Sequence, residues 1–85
     1  MAFNNVGPVT YLAPGQSAYW SYSYGGDNGF QAAGADVKQY NNGARHNASD
    51  QGKSIDNSGN VQYYVTITNV GGMGAYHNLQ GGGAS

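Results

Sequence analysis

The sequence predicts an all-β protein, a small antiparallel β-sandwich of about six or seven short strands, on three observations. Fifteen glycines and only two prolines punctuate short runs rich in Tyr, Val and Thr, the residues that fit a pleated, half-buried surface. The strong helix formers Leu, Lys and Arg are scarce and Glu is absent, and no stretch repeats apolar residues at i, i+3, i+4 and i+7 for more than one turn. Turn-forming clusters recur at regular short spacing, as in sandwiches and, less commonly, small barrels.

The elements follow in order. Val6 to Leu12 reads as a strand broken at Pro8, which suits an edge. Ala13-Pro14-Gly15-Gln16 places Pro and Gly where a type II turn requires them. Ser17 to Tyr24 alternates, so Ala18, Trp20, Tyr22 and Tyr24 share an inward face. Gly25 to Gly29 reads as a loop. Phe30 to Tyr40 is a strand of small residues with Ala33, Ala35 and Val37 on one face. Asn42-Gly43 carries the chemistry of a type I′ hairpin. Ala44 to Ile55 is polar throughout and the weakest region, open to one strand, two or a loop, with one irregular strand around Gly52 to Ile55 the first reading. Asp56 to Asn60 is a turn. Val61 to Asn69 alternates best, with Val61, Tyr63, Val65 and Ile67 inward and Gln62, Tyr64, Thr66 and Thr68 outward. Gly71-Gly72 breaks it, Ala75 to Leu79 forms a short last strand, and residues 81–85 read as a flexible Gly-rich tail after a single domain spanning 1–80.

Composition bounds the function. The 85 residues make one small domain whose aliphatic content is low: six Val, two Leu and two Ile, so eight Tyr and one Trp must supply much of the core. With no cysteine there is no disulfide or thiolate chemistry, and redox compartment is unreadable. Net charge is −1, with three basic residues and four Asp. That near-neutral surface favours self-association or neutral polar ligands over anionic polymers.

Apolar runs are too short to span a bilayer, so no membrane insertion is expected. Met1 to Pro8 lacks the basic and apolar regions of a signal peptide. The chain is expected to be cytoplasmic as made, exported by another route, or a mature fragment given a start Met.

Tyr64-Val65-Thr66-Ile67-Thr68-Asn69-Val70-Gly71 resembles the Y-x-V-T-V-T-N-x-G strand and turn of bacterial surface Ig-like sandwich modules. Leu12-Ala13-Pro14-Gly15-Gln16-Ser17 resembles their L-x-P-G-x-S turn. The resemblance covers about a sixth of the chain, and it implies an Ig-like sandwich with a binding, spacer or adhesion role.

Candidate sites are weighed against ordinary structural roles. Asp27, Asp50 and Asp56 sit in turn-like clusters, and no nucleophile elbow accompanies His46 or His77, so no enzyme activity is expected. His46 and Asp50 are four apart outside any helix, and the Asp27 and Asp56 loops fit neither the EF-hand nor the RTX-type calcium repeat, so neither metal nor other cofactor is expected. Nucleic acid is excluded because Lys38, Arg45 and Lys53 cannot neutralise many phosphates.

Neutral glycans fit better, since rings with a few amides, hydroxyls and carboxylates recognise them without net charge. The expected ligand residues are Tyr24, Asp27, Asn28 and Phe30 in one loop, Tyr40, Asn41 and Asn42 at the hairpin, and Tyr76, His77 and Asn78 near the end. This is a lectin-like reading. The rival is a structural or adhesive module, a homo-oligomer or binder of a protein surface, through Tyr64, Thr66 and Thr68 on the uncharged strand Val61 to Val70.

Overall fold

The structure, a computed structural model, describes residues 4–23, 26, 27, 29, 31–37 and 43–83. Six strands run β1 (Asn4–Leu12), β2 (Ser17–Tyr22), β3 (Gln31–Val37), β4 (His46–Ile55), β5 (Val61–Asn69) and β6 (Ala75–Gly83). They form two three-stranded sheets, ordered β1-β6-β3 and β2-β5-β4, with every pairing antiparallel. Among the described residues no helix is long and apolar enough to cross a membrane.

The sheets share one core. Leu12, Ala33 and Leu79 from one sheet meet Val65 and Ile67 from the other, and Val6, Ala18, Trp20, Tyr22, Ala35 and Ala48 pack around them. Burying each large aliphatic side chain contributes roughly 1.5–3 kcal/mol. The alternation in β5 is realised in full: Val61, Tyr63, Val65 and Ile67 are buried, and Gln62 and Tyr64 are exposed. β2 likewise turns Ala18, Trp20 and Tyr22 inward, where Tyr22 stacks on Tyr63 at 5.7 Å. Gly15, at φ +82, closes the turn after β1 with a Gln16 N–H to Ala13 carbonyl bond of 3.0 Å.

That turn docks on the end of β5. The Gly15 N–H donates to the Asn69 carbonyl and the Asn69 N–H to the Gln16 carbonyl, both at 2.9 Å. Asn69 itself is buried, and its Nδ2 donates to the carbonyls of Leu12 and Met73, each at 2.8 Å. Its Oδ1 accepts from the Gly71 N–H at 2.9 Å. One side chain thus fixes the end of β1 and the turn into β6.

The structure corrects several expectations. Asn42-Gly43 does not join a hairpin, because β3 and β4 belong to different sheets. Gly43 does take a positive φ of +93, but its carbonyl accepts from the Gly72 N–H at 3.0 Å, so the segment packs on the β5–β6 turn. The polar stretch before Ile55 is one strand, irregular as expected but ten residues long, starting at His46 rather than near Gly52. The last strand reaches Gly83, so Gly81, Gly82 and Gly83 are not a tail. Their backbones pair with Ala33, Ala32 and Gln31 of β3, and a glycine strand suits the crowded centre of a sheet. Residues 38–40, 84 and 85 and the side chains of Tyr24 and Phe30 lie outside the described residues.

Candidate functional site: a cleft between β3 and β4

The site begins with a bulge. β4 pairs Ser49 with Thr66 and then Gly52 with Tyr64, so one extra residue stands on β4 between these rungs. Asp50 supplies the backbone conformation, with φ +50, a left-handed setting that Asp tolerates better than most residues. A bulge of this kind re-aims the side chains that follow it. Before it, His46 and Ala48 face the core. After it, Lys53 shares a rung and a face with buried Tyr63, while Gly52 turns outward beneath the Tyr64 ring.

The re-aimed residues meet the loop before β3. Lys53 Nζ donates to Asp27 Oδ1 at 2.6 Å, and the Gly29 N–H donates to the same oxygen at 2.9 Å. The Lys53 hydrogen bond, then that of Gly29, holds the Asp27 carboxyl below its ordinary range, and Asp27 in turn raises Lys53. The Tyr63 hydroxyl donates to the Gly29 carbonyl at 2.9 Å, anchoring the loop from below. Gln51, in the bulge itself, accepts the Ala33 N–H at 2.7 Å through Oε1. That N–H faces away from β6 on the open edge of β3, so Gln51 covers part of an edge and ties the two sheets together.

Between these ties lies a cleft of about 370 Å³ lined by Gly29, Gln31, Ala32, Gln51, Gly52 and Lys53. Its floor is glycine and alanine, and its polar groups are two amides and an ion pair neutralised within the molecule.

Of the expected ligand residues, Asp27 does not itself line this cleft but is bonded to Lys53 and Gly29, which do. Tyr24, Asn28, Phe30, Tyr40, Asn41 and Asn42 lie outside the described residues. The third cluster is divided: Tyr76 is exposed and Asn78 half-buried on the outer face of β6, whereas His77 is wholly buried. His77 is therefore no surface ligand group, a correction that follows from strand alternation. Tyr76 instead pairs with Tyr11 at 5.2 Å, in an edge-on arrangement that leaves both rings about half exposed.

Tyr64, Thr66 and Thr68 do share the outer face of β5, which is central in its sheet. There they lie beside Tyr19, 81% exposed, and Ser17, whose hydroxyl is 2.7 Å from that of Thr68.

Gln31, Gln51, Gly52 and Lys53 escaped the sequence reading. The last three lie on β4, which shows no hydrophobic alternation because the bulge reverses the phase halfway along the strand. The one local signal is Asp50-Gln51-Gly52, turn chemistry inside a strand-length polar run.

Among the described residues no three His, Cys, Asp or Glu side chains gather to hold a metal ion. No protein-family model, curated protein or solved structure matches this chain.

Proposed function

We propose that this chain is a non-catalytic, lectin-like module of Ig-like sandwich architecture that binds neutral glycans in the β3–β4 cleft. The observation that carries this reading is the cleft's lining. Amides of Gln31 and Gln51 and the Asp27–Lys53 pair offer donors and acceptors with no net charge, over a bare floor of Gly29, Ala32 and Gly52. Sugar hydroxyls need that mixture, and a sugar's C–H face suits a floor without side chains. A volume near 370 Å³ falls within the range of small-ligand sites, about 300–1,000 Å³.

The Ig-like reading draws support from one contact. The two segments that resemble bacterial surface modules, Leu12–Ser17 and Tyr64–Gly71, are hydrogen-bonded to each other through Gly15, Gln16 and Asn69.

The test is an array of neutral glycans probed with the intact protein. Selective binding that falls at least tenfold in both Asp27→Asn and Gln51→Ala supports the cleft. A blank array, or binding unchanged in both variants, overturns it. Asp27→Asn is expected to leave the unfolding midpoint nearly unchanged, because exposed ion pairs contribute little to stability, whereas Gln51→Ala leaves the Ala33 N–H without its acceptor and is expected to cost about 1 kcal/mol.

A second reading rests on a different observation, the uncharged row Ser17, Tyr19, Tyr64, Thr66 and Thr68 on the outer face of β2 and β5. Such a face suits a second copy or another protein. Sedimentation of the parent is then expected to show a concentration-dependent oligomer, and Thr66→Lys to yield monomer. If Thr66→Lys sediments as the parent does, this face is not the interface.

A further inference from the structure

Two histidines join the sheets from inside. His46 opens β4 in one sheet and His77 lies on β6 in the other, with their Nδ1 atoms 3.1 Å apart and their rings edge-on at 5.1 Å. His77 is fully buried and His46 partly so. Neither Nε2 finds a hydrogen-bond partner among the described residues, and nor does Nε1 of Trp20, whose ring stands edge-on to His77 at 6.3 Å.

This arrangement suits one protonation state. With both rings neutral, one Nδ1–H donates to the other ring's Nδ1, and a single proton satisfies both atoms. Adding one proton leaves an imidazolium in the core and an N–H on both unpartnered Nε2 atoms. Adding a second sets two N–H groups against each other across 3.1 Å. Buried charge without a counter-charge is costly.

Among the described residues the surroundings offer no relief. On β2 the neighbour is Trp20; on β5, Asn69 shares a rung with His46; on β1 and β3, Thr10 and Val37 share rungs with His77. The nearest charges along the chain are exposed Arg45, beside His46, and Asp36 and Lys38, on either side of Val37; Asp36 is paired in the ladder with Asn78, and Lys38 lies outside the described residues. Burial lowers the affinity of both rings for a proton, and His46 lowers that of His77 further.

The pair and the walls of the cleft belong to connected strands. β4 carries His46 at its start and Gln51, Gly52 and Lys53 further along. β6, which carries His77, holds β3 through seven consecutive rungs. We infer that the His46–His77 pair is an acid-sensitive latch between the two sheets, and that opening it releases whatever the β3–β4 cleft holds. The second half of this inference rests on the proposed glycan site.

Because both rings bind protons more weakly folded than unfolded, the unfolded chain holds more protons below about pH 6.5. Stability is then complete above that range and falls as acid is added. The charges at the cleft do not share the window: Asp27 is held low and Lys53 high, so both stay ionised through it.

The experiment follows the intact chain from pH 7.5 to 5.0. Trp20 is the sole tryptophan, so its emission reports directly on the His77 environment. Expected are a titration of that emission and a fall in thermal midpoint of roughly 5 °C or more. His77→Phe, which keeps a ring without a titrating group, is expected to flatten both. Should it fail to fold, His46→Phe makes the same test at the less buried partner. A parent whose emission and midpoint stay constant, or a folded variant as acid-sensitive as the parent, overturns the latch.

A glycan identified on the array is then titrated at both pH limits. At least tenfold weaker binding at pH 5.0 in the parent, absent in the folded variant, supports release. Binding that ignores pH while the midpoint shifts overturns the coupling to the cleft. Failure of every glycan to bind at pH 7.5 overturns the glycan reading alone, and emission and midpoint still decide the latch.

Discussion

Asn69 and His77 are both enclosed polar side chains in one small core, yet their hydrogen bonding differs in kind. Both Nδ2 hydrogens and the Oδ1 of Asn69 are engaged, by Leu12, Met73 and Gly71. His77 shares one bond with His46, and its Nε2 has no partner among the described residues. A saturated carboxamide holds one geometry, and it ignores pH because it has no proton to exchange in the range where imidazoles titrate. A half-saturated pair of imidazoles is stable only while it stays neutral. The contrast teaches that burial alone does not make a polar group structural; completeness of its bonding does.

The largest expected effect breaks the Asn69 side. Asn69→Ala strands the buried Leu12 carbonyl and the part-buried Met73 carbonyl and removes an acceptor from Gly71, and is expected to cost about 3 kcal/mol in urea unfolding. The same loss is expected at pH 7.5 and pH 5.5. A loss that changes with pH would mean that Asn69 and the histidines act as one network.

A smaller effect sharpens the other side. Trp20→Phe deletes an indole N–H that has no partner among the described residues, so its cost is chiefly lost volume, about 1 kcal/mol. Circular dichroism during thermal unfolding measures it. A cost near that of Asn69→Ala would show that the indole N–H is bonded after all.

Much of this fold was legible in local pattern. The inward rows of β2 and β5 and the turn at Gly15 could be read because alternation and turn chemistry are written within a few residues. Partner choice is not local. Asn42-Gly43 has the residues of a hairpin turn, but nothing within it says that β4 joins β5 while β3 joins β6.

The Gly81–Gly83 segment looked like a tail because a glycine strand carries no side-chain pattern; its place is set by the neighbours that pair with it. The candidate site was legible at Asp27 alone. Lys53 and Gln51 became visible only once the Asp50 bulge had reversed the phase of β4, and the sequence around them carries no apolar marker of either phase. His77 was misplaced for a simpler reason: Tyr76, His77 and Asn78 were read as a cluster, and adjacent residues on a strand face opposite ways.

β1 and β6 lie side by side and antiparallel, with Asn4 across from Gly81. Tension applied between residues 4 and 83 would therefore peel β1 from β6 rung by rung, beginning at the Asn4–Gly81 end, instead of shearing all their hydrogen bonds together. Mechanically this is the compliant direction of a sheet. Used as a link in a chain under load, the module would give way early and extend, absorbing a pull before a more rigidly loaded neighbour had to.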